Sequence, residues 1–229
     1  MLSAPPAGDG LVCLLDVDNT LLDNDRFGAD LGERLESWFG AAERERYWRI
    51  FAERRDQLGL ADYLGALQAF RTGLDDDPHL LNMSDWLLEY PFASLVYPGA
   101  LDALAHLGRF ARVVVLSDGD MVFQPRKIRH AGLWEAVAGR VLIYLHKERV
   151  LDHVQRRYPA AHYVMVDDKP NLLAAMKTVM GATLTTIFVR QGHYALAPDA
   201  ALQQPPPDRV IEHIGELLQF HPQDFGGIT

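Results

Sequence analysis

Apolar residues are distributed along the chain in two distinct patterns. Short unbroken apolar runs occur at LVCLLDVD (11–18), ARVVVLSD (111–118), RVLIYL (140–145), YVMVDD (163–168) and TLTTIFV (183–189). Runs of this length without alternation predict strands buried on both faces. Between the later runs lie PGALDALAHLGR (98–109), MVFQPRKIRHAGL (121–133), KERVLDHVQRRY (147–158) and KPNLLAAMKTVMG (169–181). Their apolar residues recur at helical spacing. Pro125 fits a first turn, and Pro170 and Gly181 mark a start and a stop. Strand–helix alternation means βαβ units and a parallel sheet covered by helices. QQPPPDR (203–209) reads as a stiff connector before a last short strand and helix in VIEHIGELLQF.

The second pattern runs from Asn24 to Pro91. ADLGERLESWFG, AERERYWRIFAERRDQLG, ADYLGALQAF and DPHLLNMSDWLLEY all read as amphipathic helices, with no strand among them. The expected fold is therefore α/β, a parallel Rossmann-like sheet core formed by residues 1–24 and 92–229. An all-helical cap domain is inserted at 25–91.

Composition acts here mainly by exclusion. The chain has 229 residues, 48% of them hydrophobic, and a net charge of −9. The acidic balance argues against a nucleic-acid or anionic-membrane partner. No apolar run approaches membrane-spanning length. The single cysteine, Cys13, can form no intramolecular disulfide, and a thiol inside an apolar run suits a reducing cytoplasm. The opening MLSAPPAGDG has neither the basic start nor the apolar stretch of a signal peptide, so a cytoplasmic location is expected.

Candidate chemistry gathers where the strands end, because ligands of parallel sheets bind outside the carboxyl ends. The first run ends in Asp16-Val17-Asp18-Asn19-Thr20 and the second in Ser117-Asp118-Gly119-Asp120. His146, Lys147 and Glu148 follow the third, and Asp167-Asp168-Lys169 ends the fourth. Asp16 and Asp18 sit on one side of an extended chain. Like charges at the end of a buried strand need a cation, a proton or a hydrogen-bond network to offset their repulsion.

DVDNT, VVVLSDG, Lys147 and VMVDDKPNLLAA, in that order, resemble motifs I to IV of the haloacid dehalogenase-like (HAD) hydrolase superfamily, and YPGALDAL is similar to its return from a helical cap. The resemblance covers essentially the whole chain and points to the phosphatase branch. It implies an aspartyl-phosphate mechanism acting on a small phosphorylated metabolite. Asp16 would be the nucleophile and Asp18 the general acid/base. Asp16, the Asp18 carbonyl and Asp168 would hold Mg²⁺, with Asp167 assisting. Ser117, Lys147 and backbone amides near Val17, Asp18 and Asp118 would hold the phosphoryl oxygens. Physical chemistry points the same way: a hard cation lets clustered carboxylates stay ionised, and a weak carboxylate nucleophile needs charge stabilisation at phosphorus.

Taken alone, the same residues have plainer readings. Asp18-Asn19-Thr20 is a possible capped turn, and Ser117 to Asp120 a strand-to-helix turn capped by Asp120. Lys127, placed in a loop after motif II, and Lys169, bordering motif IV, compete with Lys147. Adjacent strand residues point oppositely, which ranks Asp168 above Asp167. Asn171 and Leu172 stand where many relatives carry a further aspartate. His146 and His193 form no ligand pair. Tyr47, Trp48 and Phe51 read as cap packing, and Arg54-Arg55 and Arg156-Arg157 as solvated helix faces. Rival functions are a 2-haloacid dehalogenase, a phosphomutase, a non-catalytic phospho-ligand binder and a receiver-type domain. The last has no helical insertion after its first strand.

Overall fold

The computed structural model describes residues 10–195 and 203–225; the stretch 1–9, part of the segment read for a leader, lies outside them. Six parallel strands form one sheet: β1 (Leu11–Leu15), β2 (Arg112–Asp118), β3 (Val141–Tyr144), β4 (His162–Asp167), β5 (Leu184–Val189) and β6 (Arg209–Ile211). Their order is β3-β2-β1-β4-β5-β6. The chain reverses its direction of travel across the sheet beside β1, so β1 and its neighbours β2 and β4 open a crevice at their carboxyl ends. In register, Leu15 pairs with Val115 and with Val166, which brings the residues after these three positions to one place.

Successive side chains point to opposite faces, so each central strand feeds two cores. Cys13, Leu15, Val113, Val115, Val164 and Val166 face one of them. Val12, Leu14, Val114, Leu116 and Met165 face the other, against α8 (Leu151–Arg157) and α9 (Pro170–Met180). All are nearly inaccessible, which accounts for the lack of alternation in the strand sequences. The first core is covered by α5 (Ala100–Leu107), α6 (Phe123–His130) and α7 (Leu133–Ala136).

Between β1 and α5 the described structure is helical: α1 (Asn24–Phe39), α2 (Ala41–Leu58), α3 (Tyr63–Phe70), α4 (His79–Leu88) and a 3₁₀ turn at Phe92–Leu95. Asp23 caps α1 by accepting from Arg26 N at 2.9 Å, and Asp62 caps α3 by accepting from Gly65 N at 2.8 Å. The chain leaves and rejoins the core side by side. Asp23 N donates to Leu95 O at 2.8 Å and Tyr97 N to Leu21 O at 3.0 Å, around an antiparallel bridge between Leu22 and Val96. Phe27, Phe92 and Phe123 then join the helical segment to the first core through rings 5.0–5.8 Å apart.

The last segment is β6 followed by a 3₁₀ helix (Ile214–Gln219), the short strand and helix expected from the sequence. Gly215 there packs on the backbone of Gly99. One expectation is corrected. Lys127 lies within α6, whose first turn accommodates Pro125, and not in a loop. No helix of the described residues is long and apolar enough to cross a membrane.

Candidate functional site

Asp16, one residue past β1, is 5% exposed. Its Oδ1 is contacted by the Lys147 ammonium. The same ammonium lies 2.7 Å from Asp167 Oδ2, an ion pair poorly aligned for a hydrogen bond, and donates to Leu116 O at 3.3 Å. Lys147 N donates to Asp118 Oδ1 at 2.7 Å. Lys147 reaches this position because, after Leu145 and His146, a 3₁₀ turn (Lys147–Arg149) follows β3. Asp118 thus contributes its carboxylate to the loop that carries the lysine.

β4 ends at Asp167, which frees Asp168 from strand alternation. Both acids are completely buried, and with Asp16 they offer three carboxylate oxygens within 4.8 Å of one another. Asp167 Oδ1 accepts from Lys169 N at 2.9 Å. Neither oxygen of Asp168 meets a hydrogen-bond donor among the described residues. Two orphaned oxygens on a buried carboxylate are rare unless something absent from the protein chain satisfies them. The donors are all hard oxygens, the set that suits Mg²⁺ or Ca²⁺, so the residues fit such an ion.

The electrostatics express the same crowding. Burial first, then Asp167 and Asp16, push the Asp168 carboxyl up to about 9. Burial pushes Asp16 up to about 7, against the pull of Lys147. Burial also raises Asp118, again opposed by Lys147. Burial alone would lower Lys147; Asp16, Asp167 and Asp118 overcome it and hold the ammonium above the usual lysine range. Lys169 is raised in the same way by Asp16, Asp167 and Asp168.

Asp18 belongs to a second cluster. Its Oδ1 accepts from Lys127 Nζ at 2.8 Å and its Oδ2 from Gln124 Nε2 at 3.1 Å. Gln124 Nε2 also reaches Ser117 Oγ at 3.0 Å, and that hydroxyl donates to Asp118 O at 3.1 Å. The motif I turn itself is tight. Asn19 adopts φ 60 and its side chain accepts from Asn24 N and Asp25 N, at the start of α1. Asp120 caps the turn before α6, accepting from Val122 N and Phe123 N at 2.8 and 2.7 Å.

A cavity of about 450 Å³ opens over these groups. Its floor includes Asp18, Asp118, Asp168 and Lys169; its roof, from the helical segment, includes Trp48, Phe51, Arg55 and Leu60. Phe51 is buried packing as well as lining, and Arg55, expected on a solvated face, edges the cavity. Arg54 instead pairs with Asp62. Gly59, in left-handed conformation at φ 75, lets the roof descend onto the core: a β-carbon there would collide with the His146 imidazole. His193 is bound to Asp25 through Nδ1 at 2.6 Å, and no histidine joins the acidic cluster.

Gln124, Lys127 and Asn24 are the site residues that the sequence reading missed or misplaced. The signal was present. Gln124, Lys127, Ile128 and Ala131 follow the i, i+3, i+4, i+7 spacing of a buried helical stripe, and all four are buried. Two polar residues within such a stripe require partners in the interior.

Comparison with known proteins supplies the family. The haloacid dehalogenase-like hydrolase family profile matches residues 11–179. A crystal structure from Burkholderia xenovorans LB400, described as a haloacid dehalogenase-like hydrolase, is 56% identical, covers 94% of this chain and 98% of its own, and superposes with a TM-score of 0.88. YfnB from Bacillus subtilis, a HAD-hydrolase structure bound to magnesium, shares the fold at 15% identity, 92% and 98% coverage and a TM-score of 0.61. An L-2-haloacid dehalogenase does so at 18% identity, 93% and 98% coverage and a TM-score of 0.61. No curated protein sequence matches the chain. With the matched profile running through every strand end that carries the site, the chain belongs to the haloacid dehalogenase-like hydrolases.

Proposed function

We propose that this hydrolase is a Mg²⁺-dependent phosphatase acting on a small phosphomonoester. The observation that carries the reading is Asp168: a buried carboxylate with both oxygens unpartnered, grouped with Asp16 and Asp167. Asp16, Asp168 and the Asp18 carbonyl would hold the ion, with Asp167 beside them and tied to Lys147. The ion would supply charge neutralisation at the phosphoryl oxygens.

In the first step an Asp16 oxygen forms a bond to phosphorus as the bond to the ester oxygen breaks. Asp18 gives that oxygen its proton. In the second step water attacks the phosphoryl-aspartate, Asp18 takes the water's proton, and Asp16 is freed with phosphate. Lys147 and Ser117 hold the transferring group, and the loop carrying Lys147 is fixed by Asp118. Asp16 meets Lys147 directly, which orients the nucleophile before substrate arrives. The helical segment 25–91 acts as a cap domain on the core of 1–24 and 92–229. Its aromatic roof limits substrate size and excludes water.

The test is a hydrolysis screen over sugar phosphates, nucleotides and short phospho-acids, with Mg²⁺ and with EDTA. Phosphate release that stops on chelation is expected. Full turnover in EDTA, or halide release from 2-haloacids in place of phosphate release, overturns the reading. Transfer of the phosphoryl group to a second sugar alcohol instead of water would favour a phosphomutase.

A further inference from the structure

Lys127 is 1% exposed, in the middle of α6. Its ammonium donates to Asp18 Oδ1 at 2.8 Å and to Asn24 Oδ1 at 2.9 Å. Four rings surround it, those of Phe27, Tyr63, Phe92 and Phe123, with centroids 5.4–5.7 Å from Nζ. They come from α1, α3, the 3₁₀ turn and α6, so the cage is closed by both the helical segment and the core. Asn24 in turn donates to the Tyr63 hydroxyl at 3.2 Å. On the other side of Asp18, Gln124 fixes the second carboxylate oxygen.

A desolvated ammonium is an expensive way to fill an aromatic cage. Met, of similar length, would fill it without that cost. The rings repay part of it through cation–π attraction, but only Asp18 supplies opposite charge. We infer that Lys127 is a positioning residue for the proton transfers of Asp18, and that it links the docking of the helical segment to that carboxylate. This rests on the phosphatase reading. Proton transfer to the leaving oxygen and from the attacking water both require the Asp18 carboxyl to be aimed at the reacting oxygen, and Lys127 holds Oδ1 at 2.8 Å. Gln124 and Lys127 together hold both Asp18 oxygens, which keeps the carboxyl aimed. Asn24 and Tyr63 complete the lysine's surroundings only with the helical segment seated as it is here.

The experiment is steady-state kinetics with Mg²⁺ on two esters: 4-nitrophenyl phosphate, whose leaving group needs little protonation, and the best alkyl phosphate from the screen. Lys127→Met is expected to lower kcat on the alkyl ester by roughly 10²-fold, and by less than about tenfold on the aryl ester, with KM little changed. In an Asp18→Asn background the same substitution should cost less than about threefold more, because the partner it serves is gone. Equal losses on both esters, or full additivity with Asp18→Asn, would make Lys127 a structural brace and overturn the inference. Asn24→Ala, which leaves the cage rings in place, gives an independent reading should Lys127→Met not fold. It should show the same bias toward the aryl ester at smaller size, and absence of that bias likewise overturns the inference. A wild-type enzyme that hydrolyses neither ester refutes the phosphatase reading itself, a result distinct from either of these.

Discussion

Lys147 and Lys127 are both 1% exposed, and each ends on one of the two aspartates that follow β1. Their surroundings have little else in common. Lys147 sits in a nest of carboxylates, in contact with Asp16 and Asp167 and with Asp118 bound to its backbone. Lys127 sits in an aromatic cage with one carboxylate and one amide oxygen. In the nest one ammonium faces several carboxylates, so removing the lysine leaves like charges together in a dry place, whereas removing an acid relieves the crowding. In the cage, most of the lysine's neighbours are indifferent to its charge, and Asp18 keeps some access to water, with a side chain 26% exposed. The same residue type therefore carries different liabilities at two ends of one site.

The comparison breaks most sharply at Asp16, the proposed nucleophile. Asp16→Asn should abolish turnover, by about 10⁴-fold or more, and intact-mass measurement should find no phosphorylated protein. A covalent adduct on that variant would remove Asp16 from its role and leave the nest a purely structural device. Lys147→Met should come next. Leaving Asp16, Asp167 and Asp168 without their buried ammonium should cost about 3–5 kcal/mol in urea denaturation of the metal-free protein, whereas Lys127→Met should cost under about 1.5 kcal/mol. Comparable losses would erase the distinction between nest and cage.

Acid–base linkage sharpens it further. Burial, then Asp167 and Asp16, push Asp168 up to about 9; burial, helped by Asp167 and opposed by Lys147, pushes Asp16 up to about 7. Unfolded carboxyls release their protons near pH 4, roughly. Between there and the folded values the folded chain binds more protons, so metal-free stability falls as pH rises. Thermal midpoints without metal should drop by roughly 5 °C from pH 5 to pH 8. Added Mg²⁺ should restore most of the loss, Asp168→Asn should flatten the slope, and Lys127→Met should leave it unchanged. The smallest effect belongs to the roof. Gly59→Ala strains a left-handed turn by about 1 kcal/mol and pushes against His146, so KM should rise a few-fold with kcat nearly intact. An unchanged KM would mean that this contact does not help to close the cavity.

What could be read from sequence follows from how burial shapes it. The strands of this sheet are covered on both faces, so LVCLL and VVVL are apolar without interruption and declare themselves. Asp16, Asp18, Ser117, Lys147, Asp167 and Asp168 were findable because each follows such a run, where the topology must bring them together. Lys127 was not, because polar residues on a helix are ordinarily assigned to water. Its partners lie 109 and 103 residues away along the chain, and no local pattern connects them. The end of β4 shows why Asp167 and Asp168 both reach the site: alternation ceases at Asp167, so its rule cannot choose between neighbours.

The stitched junction at Leu22 and Val96 has a consequence for how such a molecule can be rebuilt. The two crossing strands of chain are tied by Asp23 N to Leu95 O and by Tyr97 N to Leu21 O, so everything between them is a loop whose ends are already closed. Lengthening a closed loop adds little entropic cost, growing only with the logarithm of its length. A graft between these two positions need reproduce only that pair of hydrogen bonds and the ring contacts of Phe27, Phe92 and Phe123. The sheet beneath is left to fold as before. The junction is thus a socket, at which one catalytic base can accept interchangeable fittings of quite different size.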